Sequence, residues 1–171
     1  MRTATNGHSK IKVHSSIGLK PEIREKMVPM LNQHLADLFD LLSQTKHAHW
    51  NVKGPHFMSL HLLFDTFAEG LEKYVDTVAE RLTAMGGYAY GTARMAAANS
   101  KVKEFPTDIL AGRDIVKAMV ERYAGVGNSI REGIETSEKA GDAATSDMLI
   151  DIQRDLDQWL WFLEAHLQEQ S

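Results

Sequence analysis

The feature that most narrows the fold is a helical spacing of apolar residues, sustained over four long stretches. Leu31, Leu35, Leu38, Leu42, Thr45 and His49 advance by fours and threes along one helix face. A second stretch does the same with Leu60, Leu63, Phe64, Phe67, Leu71, Val75, Val78 and Leu82. A third carries Ile115, Met119, Val120, Tyr123, Val126, Ile130 and Ile134, and a fourth Leu149, Ile152, Leu156, Trp159, Leu160, Leu163 and Leu167. No alternating, β-branched strand pattern and no internal repeat competes with this reading. Punctuation agrees with it. Pro21 opens the first helix and Gly54-Pro55 closes it; the second runs from about Phe57 to Met85 and stops at Gly86-Gly87; the third begins near Thr107, after Pro106; the fourth follows Gly141-Asp142.

The spacing of the helices fixes their connectivity. Two connections are short, near residues 50–56 and 137–142, so each joins antiparallel neighbours. The middle one, residues 86–106, is unusually long for a compact domain and reaches from one end of a bundle to the other. Helices two and three then run parallel. The expectation is an all-α, ferritin-like four-helix bundle with a long crossover between helices two and three. That crossover carries a short extra helix over Thr92–Ala98, capped by Thr92. At 171 residues the chain is one domain, residues 21–171, preceded by a flexible basic arm at residues 1–20. With 43% hydrophobic and 25% charged residues it is neither a disordered nor a polytopic membrane chain. The N-terminal residues have no apolar core of a secretory signal, and cysteine is absent, which excludes thiol chemistry and Cys-based metal sites. The expected location is the cytoplasm, with no membrane contact.

Charge is distributed unevenly. Residues 1–21 hold Arg2, Lys10, Lys12 and Lys20 and no acid; residues 22–137 hold 13 basic and 15 acidic residues; residues 138–171 hold two basic and eight acidic residues. A basic leader on an acidic body points to nucleic-acid contact, or to a solvated leader without a partner.

Helix two carries the candidate chemistry. His61 and Asp65 are one turn apart, as are Asp76 and Glu80, and the two pairs fall on one face. Imidazole and carboxylate at this spacing suit a divalent metal such as iron or manganese; a solvated helix surface is the alternative. Asp65 and Asp76 lie about 16 Å apart along the axis, so one helix cannot bring both to one ion. No Glu is followed three positions later by His, which removes the intramolecular dinuclear site of ferritin-type bundles. However, the pairs His61/Glu80 and Asp65/Asp76 share one midpoint, between residues 70 and 71. An antiparallel copy of the helix across a two-fold axis there sets His61 against Glu80 and Asp65 against Asp76, twice. Gly70 lies at that midpoint, where a missing side chain would let the two backbones approach. His49, on the apolar side of helix one, is a further ligand candidate, or else a hydrogen-bonded core histidine. His47 points about 200° away from it on the helix. Trp50 reads as packing, as a shield for the site, or as a local electron donor.

The segments Thr45-Lys46-His47-Ala48-His49-Trp50-Asn51, His61-Leu62-Leu63-Phe64-Asp65, Asp76-Thr77-Val78-Ala79-Glu80-Arg81 and Gly86-Gly87 resemble the Dps family, the DNA-binding proteins from starved cells, or mini-ferritins. Arg154 to Phe162 is similar to the family's last helix, and the resemblance covers about residues 22–168. It implies a hollow homododecamer in which His49, His61 and Asp65 of one subunit meet Asp76 and Glu80 of a two-fold partner. It further implies a ferroxidase that binds two iron ions per interface site, oxidises Fe(II) with hydrogen peroxide or more slowly oxygen, and stores Fe(III) mineral. Glu69, Glu72, Glu132 and Glu135 are candidates for an acidic inner surface, or are solvated acids. DNA contact, with nucleoid association, falls to the leader through Arg2, Lys10, Lys12 and Lys20. The contrasting reading is a nucleoid-packing structural protein whose metal site is secondary.

Overall fold

The computed structural model describes residue 11 and residues 13–168, so Arg2, Lys10 and Lys12 lie outside the described residues. Five helices account for the body: α1 (Pro21–Asn51), α2 (Phe57–Ala84), α3 (Ala93–Asn99), α4 (Gly112–Ala140) and α5 (Ala143–Ala165). Among the described residues there is no strand, only a single parallel bridge between Lys53 and Ala111. The expected all-α bundle with one long crossover and a short extra helix is the fold observed. None of these helices is long and apolar enough to cross a membrane.

The apolar stripes read from the sequence form the core. Leu31, Leu35, Leu38, Phe64, Phe67, Leu71, Ile115, Met119, Tyr123, Leu149, Leu156 and Leu163 lie in one buried cluster. Two pins make α2 and α4 parallel. At one end, Lys53 N–H donates to Leu110 O (2.8 Å) and Gly112 N–H donates to Lys53 O (3.0 Å), tying the start of α4 to the α1–α2 turn. At the other, the Arg81 guanidinium near the end of α2 donates to Asp142 Oδ1 (2.7 Å) and Thr145 Oγ1 (3.0 Å) at the α4–α5 turn. The first pin corrects the expected start of the third helix: residues 107–108 form a turn, and the chain at Leu110 and Ala111 bridges to Lys53, so α4 begins at Gly112, not near Thr107. The α2 stop at Gly86-Gly87 holds. Gly86 adopts φ +87°, and the Gly87 and Gly86 amides donate to Leu82 O (3.1 Å) and Thr83 O (2.8 Å), closing the helix end.

The crossover owes its path to α1. Its backbone has few partners of its own, and a row of polar side chains on α1 supplies them. Asn32 receives Tyr90 N–H (3.0 Å) and donates to Tyr88 O (3.1 Å). Gln33 donates to Asn99 O (3.0 Å), Asp37 accepts Lys101 N–H (2.7 Å), Asp40 accepts the Ser100 hydroxyl (2.7 Å), and Gln44 donates to Lys103 O (3.1 Å). From the far side, buried Arg122 of α4 donates to Gln44 Oε1 (2.8 Å) and to Glu104 O. Within the segment, the Thr92 hydroxyl caps α3 by accepting Met95 N–H (3.3 Å). The described part of the leader also rests on the body: Val13 N–H donates to Gly86 O (3.2 Å) and Ser15 Oγ to Ala84 O (2.7 Å).

Gly70 plays a different part from the one its midpoint position suggested. A Cβ there would sit 2.6 Å from Trp159 Cη2 and Cζ2, so its missing side chain admits an indole of the same subunit. Ala at this position gains about 1 kcal/mol of helix propensity but overpacks the core at a typical cost of about 1–3 kcal/mol. Gly70→Ala is therefore expected to destabilise the fold by about 1 kcal/mol in urea unfolding. In a Trp159→Leu background, with the ring gone, the same change should be neutral or stabilising; equal effects in both backgrounds would remove the steric account.

His34 supplies a pH test. It is buried beside Gly133 and Leu149, with neither ring nitrogen bonded. Burial, and then the charge of Lys101, push its pKa down to about 4. Below the unfolded value of 6.5 the unfolded chain binds the extra proton, so the contribution of this site is complete above pH 6.5 and shrinks as pH falls towards 4. The loss amounts to about 3 kcal/mol over the window. At fixed protein concentration, His34→Leu should flatten the fall in urea stability between about pH 7 and about pH 4.5 by about 2–3 kcal/mol.

Candidate metal centre

The end of α1 and the start of α2 face each other across the turn at residues 52–56, and this juxtaposition builds half of a site. His49, near the last turn of α1, is buried; His61, in the second turn of α2, is partly buried. Their rings stack with centroids 3.7 Å apart. His49 Nδ1 lies 2.8 Å from His61 O, and His61 Nδ1 lies 2.9 Å from His49 O. A carbonyl only accepts, so each Nδ1 carries the proton and donates it. In the neutral tautomer that these bonds select, the proton is on Nδ1 and Nε2 keeps its lone pair, the form in which imidazole ligates a metal. The two residues orient each other through main chain alone. Phe57, the first residue of α2, lies against the far side of His61 with centroids 5.1 Å apart, and Lys53 sits 5.6 Å from the centre of the Phe57 ring.

Asp65, one turn beyond His61, adds a carboxylate 3.9 Å from His49 Nδ1. Lys46, one turn before His49, places its ammonium 2.7 Å from Asp65 Oδ1. The Lys46 bond, ahead of the weaker opposing effect of burial, holds the Asp65 carboxyl below its usual range, with the Lys46 charge adding to it. Asp65 is therefore ionised and carries a cation already. Neither Lys46 nor Phe57 is among the candidates the sequence offers; the signal for Lys46 is its three-residue spacing from His49, which puts it on the same side of the helix, whereas Phe57 reads only as a helix start.

The remaining candidates stand apart. Asp76 and Glu80 are exposed on the same side of α2, about 16 Å and more from Asp65 along the axis. Accordingly, among the described residues no group of three His, Asp or Glu in one chain is arranged to hold a metal ion. The face that carries the stripe is not purely polar: Met58 (60% exposed) and Leu62 (57%) lie on it. Trp50 is 64% exposed, so it is not a core residue of the subunit. His47 is also exposed and lies edge-on to Phe105, away from the stacked pair. Lys20 is exposed immediately before α1. Glu69, Glu72, Glu132 and Glu135 are all exposed, and Glu135 is bonded to Lys139 at 3.1 Å.

Known proteins share this architecture. A ferritin-like domain matches residues 29–171. The DNA protection during starvation protein of Agrobacterium fabrum is 44% identical over 153 residues, covering 90% of this chain and 94% of its own length. Among solved structures, DpsA14 from Streptomyces coelicolor superposes with a TM-score of 0.88 at 34% identity, over 93% of this chain and 94% of that one. The Dps protein from Vibrio cholerae O1, described as a member of a broad superfamily of ferritin-like diiron-carboxylate proteins, gives 0.84 at 26% identity, over 93% and 98%. A ferritin-like bundle that fills the whole body, and sequence identity at this level over nine-tenths of the chain, identify the protein as a member of the Dps family.

Proposed function

We propose that this chain is a ferroxidase and iron-storage protein whose dinuclear sites are completed by a second copy of itself. The carrying observation is the reciprocal pair of Nδ1–H bonds, which selects the neutral tautomer with Nε2 free for metal on both imidazoles, with the Asp65 carboxylate one helical turn beyond His61. The donor types fit Fe(II) as substrate: carboxylates hold it and favour the Fe(III) product, while imidazoles leave coordination positions open for the oxidant. Asp76 and Glu80 of a two-fold partner supply the remaining carboxylates. The exposed Met58 and Leu62 give that contact its apolar component. Lys46 occupies Asp65 while iron is absent and swings to solvent when Fe(II) replaces it, so the carboxylate never stands without a counter-charge.

Six such two-fold contacts in a closed shell make a homododecamer, with the mineral enclosed. Two Fe(II) ions held together give hydrogen peroxide, or oxygen more slowly, an electron pair in place of a single electron. The oxidant is thus reduced without releasing hydroxyl radical. A cytoplasmic, nucleoid-associated location follows from DNA contact through Arg2, Lys10, Lys12 and Lys20, favoured by the basic leader and by the name of the Agrobacterium relative. Nucleoid packing with secondary metal binding is the competing reading. Any such contact is phosphate-driven, weak per subunit and multiplied by the copies.

Mixed oligomers test the shared site. His61→Ala and Glu80→Ala should each be nearly inactive in Fe(II) oxidation when pure. In a mixed dimer one site loses both residues and the other keeps both, so co-assembled oligomers should regain part of the rate. An intramolecular site gives no recovery, and verified mixed dimers that stay inactive would exclude the pairing.

The DNA reading is tested by charge removal instead of truncation, because the leader is bonded to the body at Val13 and Ser15. Replacing Arg2, Lys10, Lys12 and Lys20 by glutamine should abolish DNA retention in a low-salt gel while iron oxidation persists. Unchanged retention would place the contact elsewhere.

A further inference from the structure

Apart from the ligand stripe, the feature of the subunit that packing explains least is a run of oxidisable rings through the core. Trp159 of α5 is 7% exposed and lies between Tyr74 of α2 and Tyr123 of α4, with centroids 6.2 Å from each. Phe67 stacks on Trp159 at 5.2 Å and lies 5.7 Å from Tyr123. Packing alone asks for less. Leucine at 159 would fill the core without a glycine inside α2, and phenylalanine would serve at 74 and 123 with no hydroxyl to satisfy.

The two phenols differ in their proton acceptors. Tyr123 is fully buried and 3.0 Å from Thr45 Oγ1. That hydroxyl gives its own proton to Leu41 O (2.7 Å), so Tyr123 donates to a neutral oxygen. Tyr74 donates to the Asp155 carboxylate, Oδ2, at 2.6 Å. A phenol that loses an electron becomes a strong acid, and its oxidation is easy only where a base takes the proton at once. Asp155 is such a base and Thr45 is not. An electron vacancy on Trp159 is therefore filled from Tyr74 in preference to Tyr123.

We propose that Trp159, Tyr74 and Asp155 form an internal oxidant sink that returns stray one-electron chemistry to the ferroxidase reaction. This rests on the ferroxidase reading for its oxidant. A single Fe(II) that meets peroxide yields Fe(III), hydroxide and a hydroxyl radical. The radical takes one electron from the Trp159 indole and becomes hydroxide. Tyr74 refills Trp159 with one electron while its phenolic proton moves to Asp155, leaving a neutral Tyr74 phenoxyl radical. A second Fe(II) then returns one electron to Tyr74, the proton comes back from Asp155, and a second Fe(III) is formed. The net result is two Fe(II) oxidised and one peroxide reduced to two hydroxides, as in the paired reaction.

The test uses the assembled full-length protein with Trp50→Phe and Trp161→Phe, so that Trp159 is the only indole of the three. In iron-free protein, azide radicals generated by pulse radiolysis oxidise the indole. The indolyl absorbance should decay as phenoxyl absorbance grows. Tyr74→Phe should lose that growth and leave the indolyl signal standing; Asp155→Asn should slow it; Tyr123→Phe should leave it unchanged. Matched thermal melts separate these effects from misfolding, which alters no rate of this kind selectively. Phenoxyl growth that survives in Tyr74→Phe, or is lost in Tyr123→Phe, overturns the assignment. In a second arm, Fe(II) and peroxide are mixed and rapidly frozen for electron paramagnetic resonance. The phenoxyl signal should disappear in Tyr74→Phe while Fe(II) oxidation continues, and a signal unchanged in that variant counts against the sink. No Fe(II) oxidation in any protein, with the radiolysis result intact, would overturn the ferroxidase reading and leave the relay standing.

Discussion

A long connection without regular structure must find partners for its amide and carbonyl groups, and here the partners are side chains of α1. The row Asn32, Gln33, Asp37 and Gln44 binds the crossover backbone from Tyr88 to Lys103, Asp40 holds the Ser100 hydroxyl within it, and Arg122 locks its far end through Glu104 O and Gln44. That arrangement carries the chain from the end of α2 back to the level where α2 began. With the Lys53 and Arg81 pins it makes α2 and α4 parallel, so the outer face of α2 is free of its own bundle. The candidate ligands all lie on that face or at its edge. A burial cost accompanies the row, since burial pushes the Asp37 carboxyl up even with the Lys101 amide and Gln33 bonded to it.

This row also marks where sequence reasoning stopped. The apolar periodicity of α1 was plain, as was the length of residues 86–106, but Asn32, Asp37 and Gln44 are polar residues in a helix and carry no sign that they are buried. Their partners are main-chain atoms some 60 residues away, and no local pattern encodes those. The start of α4 was misjudged for the same reason: a non-local bridge to Lys53 overrode the local signal of Pro106. Gly70 is the instructive case at the site. Its position at the midpoint of the ligand pairs suggested a close helix contact between subunits, but the neighbour that fills its space is Trp159 of the same chain. The shared midpoint of the two candidate pairs is a matter of numbering and does not depend on it.

The stripe of candidate ligands was legible as a helix face because it obeys one helix's geometry. His61, Asp65, Asp76 and Glu80 fall on one face by counting, and the structure leaves them on one side of α2, Asp76 and Glu80 exposed and His61 and Asp65 half-buried. Less legible was how the half-site is prepared. The stacking of His49 on His61 joins two helices across a turn, and Lys46 becomes relevant only because that turn brings α1 beside Asp65. Periodicity identifies faces; it does not tell which end of one helix meets which end of the next.

The reciprocal histidine bonds have a mechanical consequence. Each imidazole is aimed by the carbonyl of the other residue, so what the pair senses is the offset between two helix backbones. A slide of α1 against α2 along their common axis would release both rings together, with every ligand still present. The register of the hairpin is set by the turn at residues 52–56, and that turn is held in place by the start of α4 through Lys53. The aim of the two candidate ligands is in this way tied to a connection that lies outside the stacked pair. Lengthening or loosening that turn acts on the two imidazoles as a single latch.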